Sequence, residues 1–511
     1  MRPPHQVEPG LFSILTTVYE TPPNLLRETA ASVLAQTSPN FEWIVLDNGS
    51  SRQDVSATVE EIAASDPRIR SRRAERNLGI LGGMRSCLEI AEGEYIVPVD
   101  SDDTIEPDAL ALLTHAIAEH GGPPFIYTDE DVLADGRPQT PYLRPDWDPV
   151  LNLCTSYVFH LCAFRRIEAL ELGVYADHAA TWCHDWDTVH RFHAAGREPV
   201  HIREVAYHWR SHSASSTNRT RPESGSLKSQ RHVLERVVDA THRPDLFELE
   251  IFPIDRGAPE WWVRRRRVQP EPLDVLLVRR RTATGDEVAS HLGPTDYPFA
   301  QVGVIEGDGQ TLARLRERLG DASSELTVVL SDEVVLAGDE WPWEAIGLLE
   351  LHRDVVVVSG RILDSRGIVV AGGEMFGFGG LLGTPEVGRR ANDPGYFALA
   401  LKQRCVSACH PAFFIARTSF LRKVIHSLPA EATFGFLGAW LGALAASEGG
   451  RVVVSPLVSA VASGSFVGDQ TPGDGESERF RDLHGRVLDD PRWYSPHFSR
   501  NRRAAYTLAS A

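Results

Sequence analysis

Gly93-Glu94-Tyr95-Ile96-Val97-Pro98-Val99-Asp100-Ser101-Asp102-Asp103 is a short apolar run that stops abruptly in three carboxylates. Tyr95 to Val99 is too short for a helix and rich in β-branched and aromatic residues, so it reads as a buried strand with the acids at its C-terminal tip. In open α/β sheets the ligand lies outside the carboxyl ends of the strands, where loops gather charge without burying it. Three acids crowded at one tip repel one another unless a cation sits among them. Oxygen ligands of this kind suit Mg²⁺ or Mn²⁺, which would in turn hold a diphosphate. The competing use of the tip is capping, because Thr104-Ile105-Glu106-Pro107-Asp108 reads as a helix start.

Working outward, the 511 residues suggest two to four domains, and 42% apolar with 24% charged residues is ordinary for a globular chain with sizeable cores. A formal charge of −18 disfavours a phosphate backbone as partner, so nucleic acid is excluded and a nucleotide ligand needs a metal or a local Arg cluster. The cysteines, Cys87, Cys154, Cys162, Cys183, Cys405 and Cys409, form no C-x-x-C pair and read as reduced apolar residues. The first residues are polar and Pro-rich, and no later run reaches about 18 apolar residues, so a soluble, cytoplasmic protein is expected.

Around the acidic strand the pattern alternates. Leu11 to Thr17 and Phe41 to Leu46 read as strands, and the stretch after Pro22-Pro23, Val55 to Ala64 and the run up to Ala91 read as helices. This alternation predicts a doubly wound, mostly parallel sheet. Three polar tips, Thr17 to Glu20, Asp47 to Ser50 and Asp100 to Asp103, then converge on one edge.

Leu26 to Ser50, Asn77-Leu78-Gly79-Ile80 and Gly93 to Asp103 resemble the nucleotide-binding half of the family 2 glycosyltransferases of GT-A fold. The likeness continues through Tyr127 to Val132, Pro145 to Pro149, His184 to Phe192 and Tyr207 to Thr217, a group similar to the bacterial branch that builds O-antigens and other surface polysaccharides. The resemblance implies a Rossmann-like GT-A domain and an inverting, metal-dependent transfer from a UDP- or dTDP-linked sugar to a glycan, lipid-linked or peptide acceptor. The implied nucleotide-sugar set is Thr17, Tyr19, Glu20, Asp47, Asn77, Gly79, Arg85, Asp100, Asp102 and Arg210, with Mg²⁺ or Mn²⁺ on Asp102, His212 and His208.

A Tyr ring offers a stacking face, and a carboxylate can accept a pyrimidine N–H; the alternative for Asp47 is an Asx turn before Gly49. Asp185 falls where the family keeps its general base, one residue after an acid that His184 replaces here. Its alternative is a helix N-cap. Asp103 is either a supporting acid or a cap. Asp129, Glu130 and Asp131 either line the sugar or acceptor pocket or form a solvated turn. Gly82-Gly83-Met84-Arg85-Ser86 departs from the Ala-x-Asn of many members, which leaves the donor sugar open.

The domains read as 1–250, a GT-A catalytic domain, and 273–511, a degenerate GT-A-like copy without catalysis. Between them, 251–272 is a Trp/Arg/Pro-rich linker whose Trp261 to Arg267 alternatively serves as a peripheral membrane contact. The copy is inferred from Arg361 to Gly380, Cys405 to Leu421 and Asp489 to Arg500, which resemble tandem domains of the family. Only Asp332 and Glu333 remain at its acidic tip. The reading from another class is a non-catalytic carbohydrate-binding scaffold. A third keeps transfer but to a peptide or natural-product acceptor. A glycoside hydrolase, which needs two carboxylates flanking the bond, is disfavoured.

Overall fold

The computed structural model describes residues 11–134, 136–139, 141–211, 225–252, 260–280, 288–464 and 466–509. The chain divides into two compact units, Met1–Trp147 with Ser156–Ala240, and Asp148–Thr155 with Thr241–Ala511.

The first unit carries β1 (Phe12–Val18), β2 (Phe41–Asp47), β3 (Ile69–Arg73), β4 (Tyr95–Pro98), β5 (Thr104–Ile105), β6 (Phe125–Ala134), β7 (Arg137–Pro138), β8 (Cys162–Arg165) and β9 (Val200–Arg210). They form one sheet in the order β3-β2-β1-β4-β8-β6-β9-β5, with β7 on β6. From β3 to β4 all pairs are parallel, as helical crossovers require: α1 (Pro23–Leu34), α2 (Gln53–Ser65) and α3 (Gly79–Ile90) link them. Beyond β4 the sheet becomes mixed, because β8 runs antiparallel to both β4 and β6.

Each crossover helix turns one apolar stripe inward. In α1 the stripe is Leu26, Ala30 and Val33, on the 3.6-residue spacing legible in the sequence. The core against which it packs includes Phe12, Ile14, Val45 and Val97. Thr104-Ile105 is not a helix start. Those two residues pair with His208 and Tyr207 of β9, and α4 (Ala109–Glu119) begins only afterwards. α6 (Arg166–Glu171) and α7 (His184–Ala194) complete the part of this unit that builds the site.

In the second unit β10 (Phe247–Ile251) and β11 (Trp261–Arg265) form an antiparallel pair. This corrects the linker expected over 251–272. Trp261, Trp262, Val263 and Arg265 are buried, the Trp262 indole donates to Glu344 at 2.8 Å, and Arg265 pairs with Glu350 at 2.7 Å. Apolar surface and a satisfied indole hold the stretch in a core. With Trp261 5% and Trp262 4% exposed, it does not present the interfacial anchor that a membrane contact through 261–267 requires. Among the described residues no helix is long and apolar enough to cross a membrane. α5 (Pro149–Cys154) also belongs here: Asp148 caps it and accepts the Cys405 N–H at 2.6 Å.

The remaining strands are β12 (Leu273–Arg279), β13 (Phe299–Glu306), β14 (Leu326–Ser331), β15 (Val334–Ala337), β16 (Val355–Leu363), β17 (Val369–Ala371), β18 (Met375–Phe376), β19 (Leu382–Gly383), β20 (Arg404–Val406), β21 (Phe413–Arg417) and β22 (Arg451–Ala462). Their main sheet runs β13-β12-β14-β21-β16-β22-β15, with β17 on β16 and β20 on β22. Set beside β2-β1-β4-β8-β6-β9-β5, with β7 on β6, this is the same path with the same parallel and antiparallel steps, less the edge strand β3 and with β20 added. Two independent registers agree on the correspondence. Tyr95 faces Arg165 as Leu326 faces Arg417, and Asp131 faces His208 as Leu363 faces Val461.

Candidate active site

The site lies at the carboxyl ends of β1, β2, β4 and β6 in the first unit. At the β1 tip Tyr19 stands 50% exposed, and Glu20, at a φ of 55°, accepts the Ser51 N–H at 2.6 Å. That backbone donor holds the Glu20 carboxyl below its ordinary pKa. Thr17, at the end of β1, abuts α3. A Cβ on Gly83 would lie 2.8 Å from the Thr17 methyl and 3.0 Å from the Asn48 amide, so glycine lets the helix approach the strand tips.

Asp47 is buried. One of its oxygens accepts the Ser50 N–H at 2.9 Å and the other the Ser56 hydroxyl at 2.6 Å. The carboxylate therefore shapes the turn at the tip of β2. Gly49, at a φ of 76°, closes that turn where any Cβ would strike the Arg76 backbone. Asn48 ties Asn77 and Gly79 to the same edge: its amide donates to Asn77 Oδ1 at 3.3 Å and to the Gly79 carbonyl at 3.0 Å.

The acid turn after β4 is anchored from below. Asp103 is buried and accepts the Tyr207 hydroxyl and the Arg210 N–H, each at 2.7 Å, so it supports the turn and caps no helix. Burial, and then the charge of Asp100, raise its pKa. Asp100 remains 54% exposed at the side chain and Asp102 is half-buried, so these two acids are left to face the cleft. The Asp102 carbonyl accepts from Arg210 Nε at 2.7 Å, and Arg210 also pairs with Glu28 at 2.7 Å. Arg210 thus braces the turn.

Arg85 pairs with Glu89 at 2.8 Å and donates to the Val174 carbonyl at 3.2 Å. His208 uses both ring nitrogens, on Asp131 at 2.7 Å and Glu106 at 3.0 Å. The Asp131 hydrogen bond raises its pKa against the cost of burial. His212 lies outside the described residues.

Asp185 sits in the first turn of α7, one-third exposed, 3.3 Å from His184; the N-cap is Cys183, so Asp185 is not the cap. It shares a recess with Val158, Phe159 and Cys162, on the segment that carries His160 to within 3.8 Å of Asp100. Tyr175 and Val189 line the same recess.

The three acids of β6 each take a basic partner. Asp129 accepts from His201 at 2.9 Å, Glu130 pairs with Arg144 at 2.8 Å, and Asp131 with His208. They are neither a solvated turn nor open lining. His160, for which the sequence offered no role, stands among the acids, 3.3 Å from Glu130 and 3.8 Å from Asp100, its ring stacked 4.5 Å from that of Tyr207. A lone His in an apolar run gave no signal. Its environment comes from three strands distant in sequence.

The family model for glycosyl transferase family 2 matches residues 13–166. An uncharacterized protein, y4gI, of Sinorhizobium fredii is 27% identical over 447 residues, 80% of this chain and 48% of the relative. The O-antigen biosynthesis protein RfbC of Myxococcus xanthus is 25% identical over 410 residues, 73% of this chain and 31% of the relative. The chain thus spans less than half the length of either. An N-acetylglucosaminyltransferase of Bradyrhizobium sp. is 30% identical over 113 residues, 22% of this chain and 74% of the relative. With the strand path and the acid turn already placed, these matches show that the chain belongs to glycosyl transferase family 2.

Proposed function

We propose that the first unit moves a sugar from a nucleoside-diphosphate donor to a hydroxyl acceptor, with inversion at the anomeric carbon. The observation that carries this reading is that His160, 3.8 Å from Asp100 of the acid turn, lies on the segment Val158 to Cys162 that shares a recess with Asp185 of α7. Asp185 takes the acceptor proton, the acceptor oxygen forms its bond to C1, and the C1–O bond to the diphosphate breaks with its electron pair leaving on phosphate. A single carboxylate in that role implies a single displacement. Tyr19 offers the base a stacking face, and the N-terminus of α3, which begins at Gly79, offers N–H groups to the donor's phosphates.

The donor set fits a divalent cation held by Asp102 together with the donor's own phosphates. Among the described residues no group of three or more His, Cys, Asp or Glu is arranged to hold a metal alone, and Mg²⁺ is commonly bound by one or two carboxylates plus substrate phosphate. Such an ion would neutralise charge on the departing diphosphate.

The likeness to the O-antigen biosynthesis protein of Myxococcus supports a place in surface polysaccharide assembly, and Cys87, Cys154, Cys162, Cys183, Cys405 and Cys409, buried and joined by no disulfide, support a reducing, cytoplasmic setting. The second unit is read as a copy without catalysis. By register Ser331, Glu333 and Val334 stand where Asp100, Asp102 and Asp103 do, and Glu333 is paired with Arg280 at 2.9 Å. The second residue of the corresponding helix, Leu437–Ser447, is Gly438, where a Cβ would lie 1.8 Å from the Cys409 carbonyl oxygen. No side chain fits in the place of Asp185.

The test is release of nucleoside diphosphate from UDP- and dTDP-sugars with Mn²⁺ present. A binding scaffold would retain sugar without releasing nucleotide, and this reading would then be withdrawn.

A further inference from the structure

We propose that His160 is a positioning residue of this transfer site, a fixed cation that orients and charge-balances Asp100 and Asp185 across the cleft. The inference rests on the transfer reading of the same cleft and adds a residue that reading does not use.

Three contacts hold the ring. Nδ1 lies 3.3 Å from Glu130 Oε2, Nε2 lies 3.8 Å from Asp100 Oδ2, and the ring stacks on Tyr207 at 4.5 Å with planes 15° apart. Glu130 is itself immobilised, because its other oxygen pairs at 2.8 Å with Arg144, a fully buried side chain that also donates to the Tyr157 and His160 carbonyls at 2.8 Å. Tyr207 in turn binds Asp103. His160 is therefore framed on three sides and directs its remaining nitrogen at the cleft.

The charge argument follows from the count of acids. Asp100 and Asp102 stand two residues apart on the acid turn and Asp185 lines the recess beside Phe159 and Cys162, and neighbouring like charges cost energy unless compensated. Burial alone would lower the His160 pKa; the Glu130 hydrogen bond and the charges of Asp100, Glu130 and Asp185 outweigh it and push the pKa up to about 10. Asp185 lies 3.3 Å from His184 on its own helix and shares a recess with Val158, Phe159 and Cys162, which flank His160. His160, 3.8 Å from Asp100, is a cation that belongs to neither the acid turn nor α7.

The experiment uses the full chain with a donor that wild type turns over, and compares His160→Gln with His160→Lys. Expected for His160→Gln are a kcat lower by tenfold to a hundredfold, a donor KM within about threefold of wild type, and an acidic limb of kcat moved to higher pH, because loss of the cation disfavours the ionised base. His160→Lys, which restores the charge on a partly exposed side chain, should recover much of kcat. Wild-type kcat in His160→Gln would overturn the proposal. So would equal losses in both variants accompanied by a lowered Tm, which is what a packing role produces. A readout without turnover separates this from the transfer reading: with ¹³C-labelled histidine, the His160 ring resonance, assigned by its absence in His160→Gln, should shift in Asp185→Asn. If no donor is turned over yet the shift appears, the transfer reading fails and the placement of His160 stands; an unshifted resonance overturns the placement.

Discussion

The Tyr207 hydroxyl donates to the buried Asp103 carboxylate at 2.7 Å, and so fastens the acid turn at the end of β4 to the far strand β9. The same oxygen accepts the Asp100 N–H at 3.2 Å. Removing it in Tyr207→Phe keeps the ring against His160 but leaves a buried carboxylate short of a donor. Stability should fall by about 1–3 kcal/mol, and donor KM should rise as Asp100 and Asp102 lose their anchor. Urea unfolding and initial rates check both; an unchanged donor KM would separate the turn's shape from donor binding.

Metal dependence should run through Asp102. EDTA should abolish donor turnover, and Asp102→Ala should lose affinity for both Mn²⁺ and the nucleotide, measured by calorimetry. Full activity in Asp102→Ala would remove the acid turn from donor binding.

The second unit should bind no nucleotide-sugar. Asp332→Ala combined with Glu333→Ala should leave the transfer rate within about twofold of wild type, because Arg280 already satisfies that tip from within. A loss like that of Asp102→Ala would reveal a second live site.

Glu374 makes the second unit sensitive to alkali. It is 2% exposed, and burial, opposed only by backbone N–H groups, raises its pKa to about 8. A carboxyl whose folded pKa lies above its unfolded value binds more protons folded, so its stabilising contribution is complete below about pH 4.5 and is lost as pH rises through about 8. Glu374→Gln should flatten that decline, which amounts to several kcal/mol across the window. Denaturation midpoints at pH 5 and pH 8 give the comparison, and parallel pH dependence in both proteins would contradict it.

How much of this was legible in the sequence depended on the range of each interaction. The strands of the parallel half follow from runs such as Phe41 to Leu46, where apolar side chains in consecutive positions suit a sheet covered on both faces. The positions of the acidic tip and of Asp185 at a helix start could be read because motif order along the chain is local information. The contacts of Asp47, Arg85, Arg210 and His208 could not. Each has partners fixed only on folding: Ser56 for Asp47, the Val174 carbonyl for Arg85, Glu28 for Arg210, and Asp131 with Glu106 for His208. The Trp-Arg stretch misled for the same reason. Its charges read as a solvated linker until Arg264 meets Glu340 at 3.2 Å and Arg265 meets Glu350.

The central claim, that Asp185 is the base of an inverting transfer, is tested most directly by Asp185→Asn in the full chain. Nucleoside diphosphate release would be followed alongside donor affinity, with the product anomer read by NMR. The account predicts donor affinity near that of wild type, turnover lower by about a hundredfold to ten-thousandfold, and an inverted product from wild type. Wild-type turnover in Asp185→Asn, or a retained anomer, would contradict it.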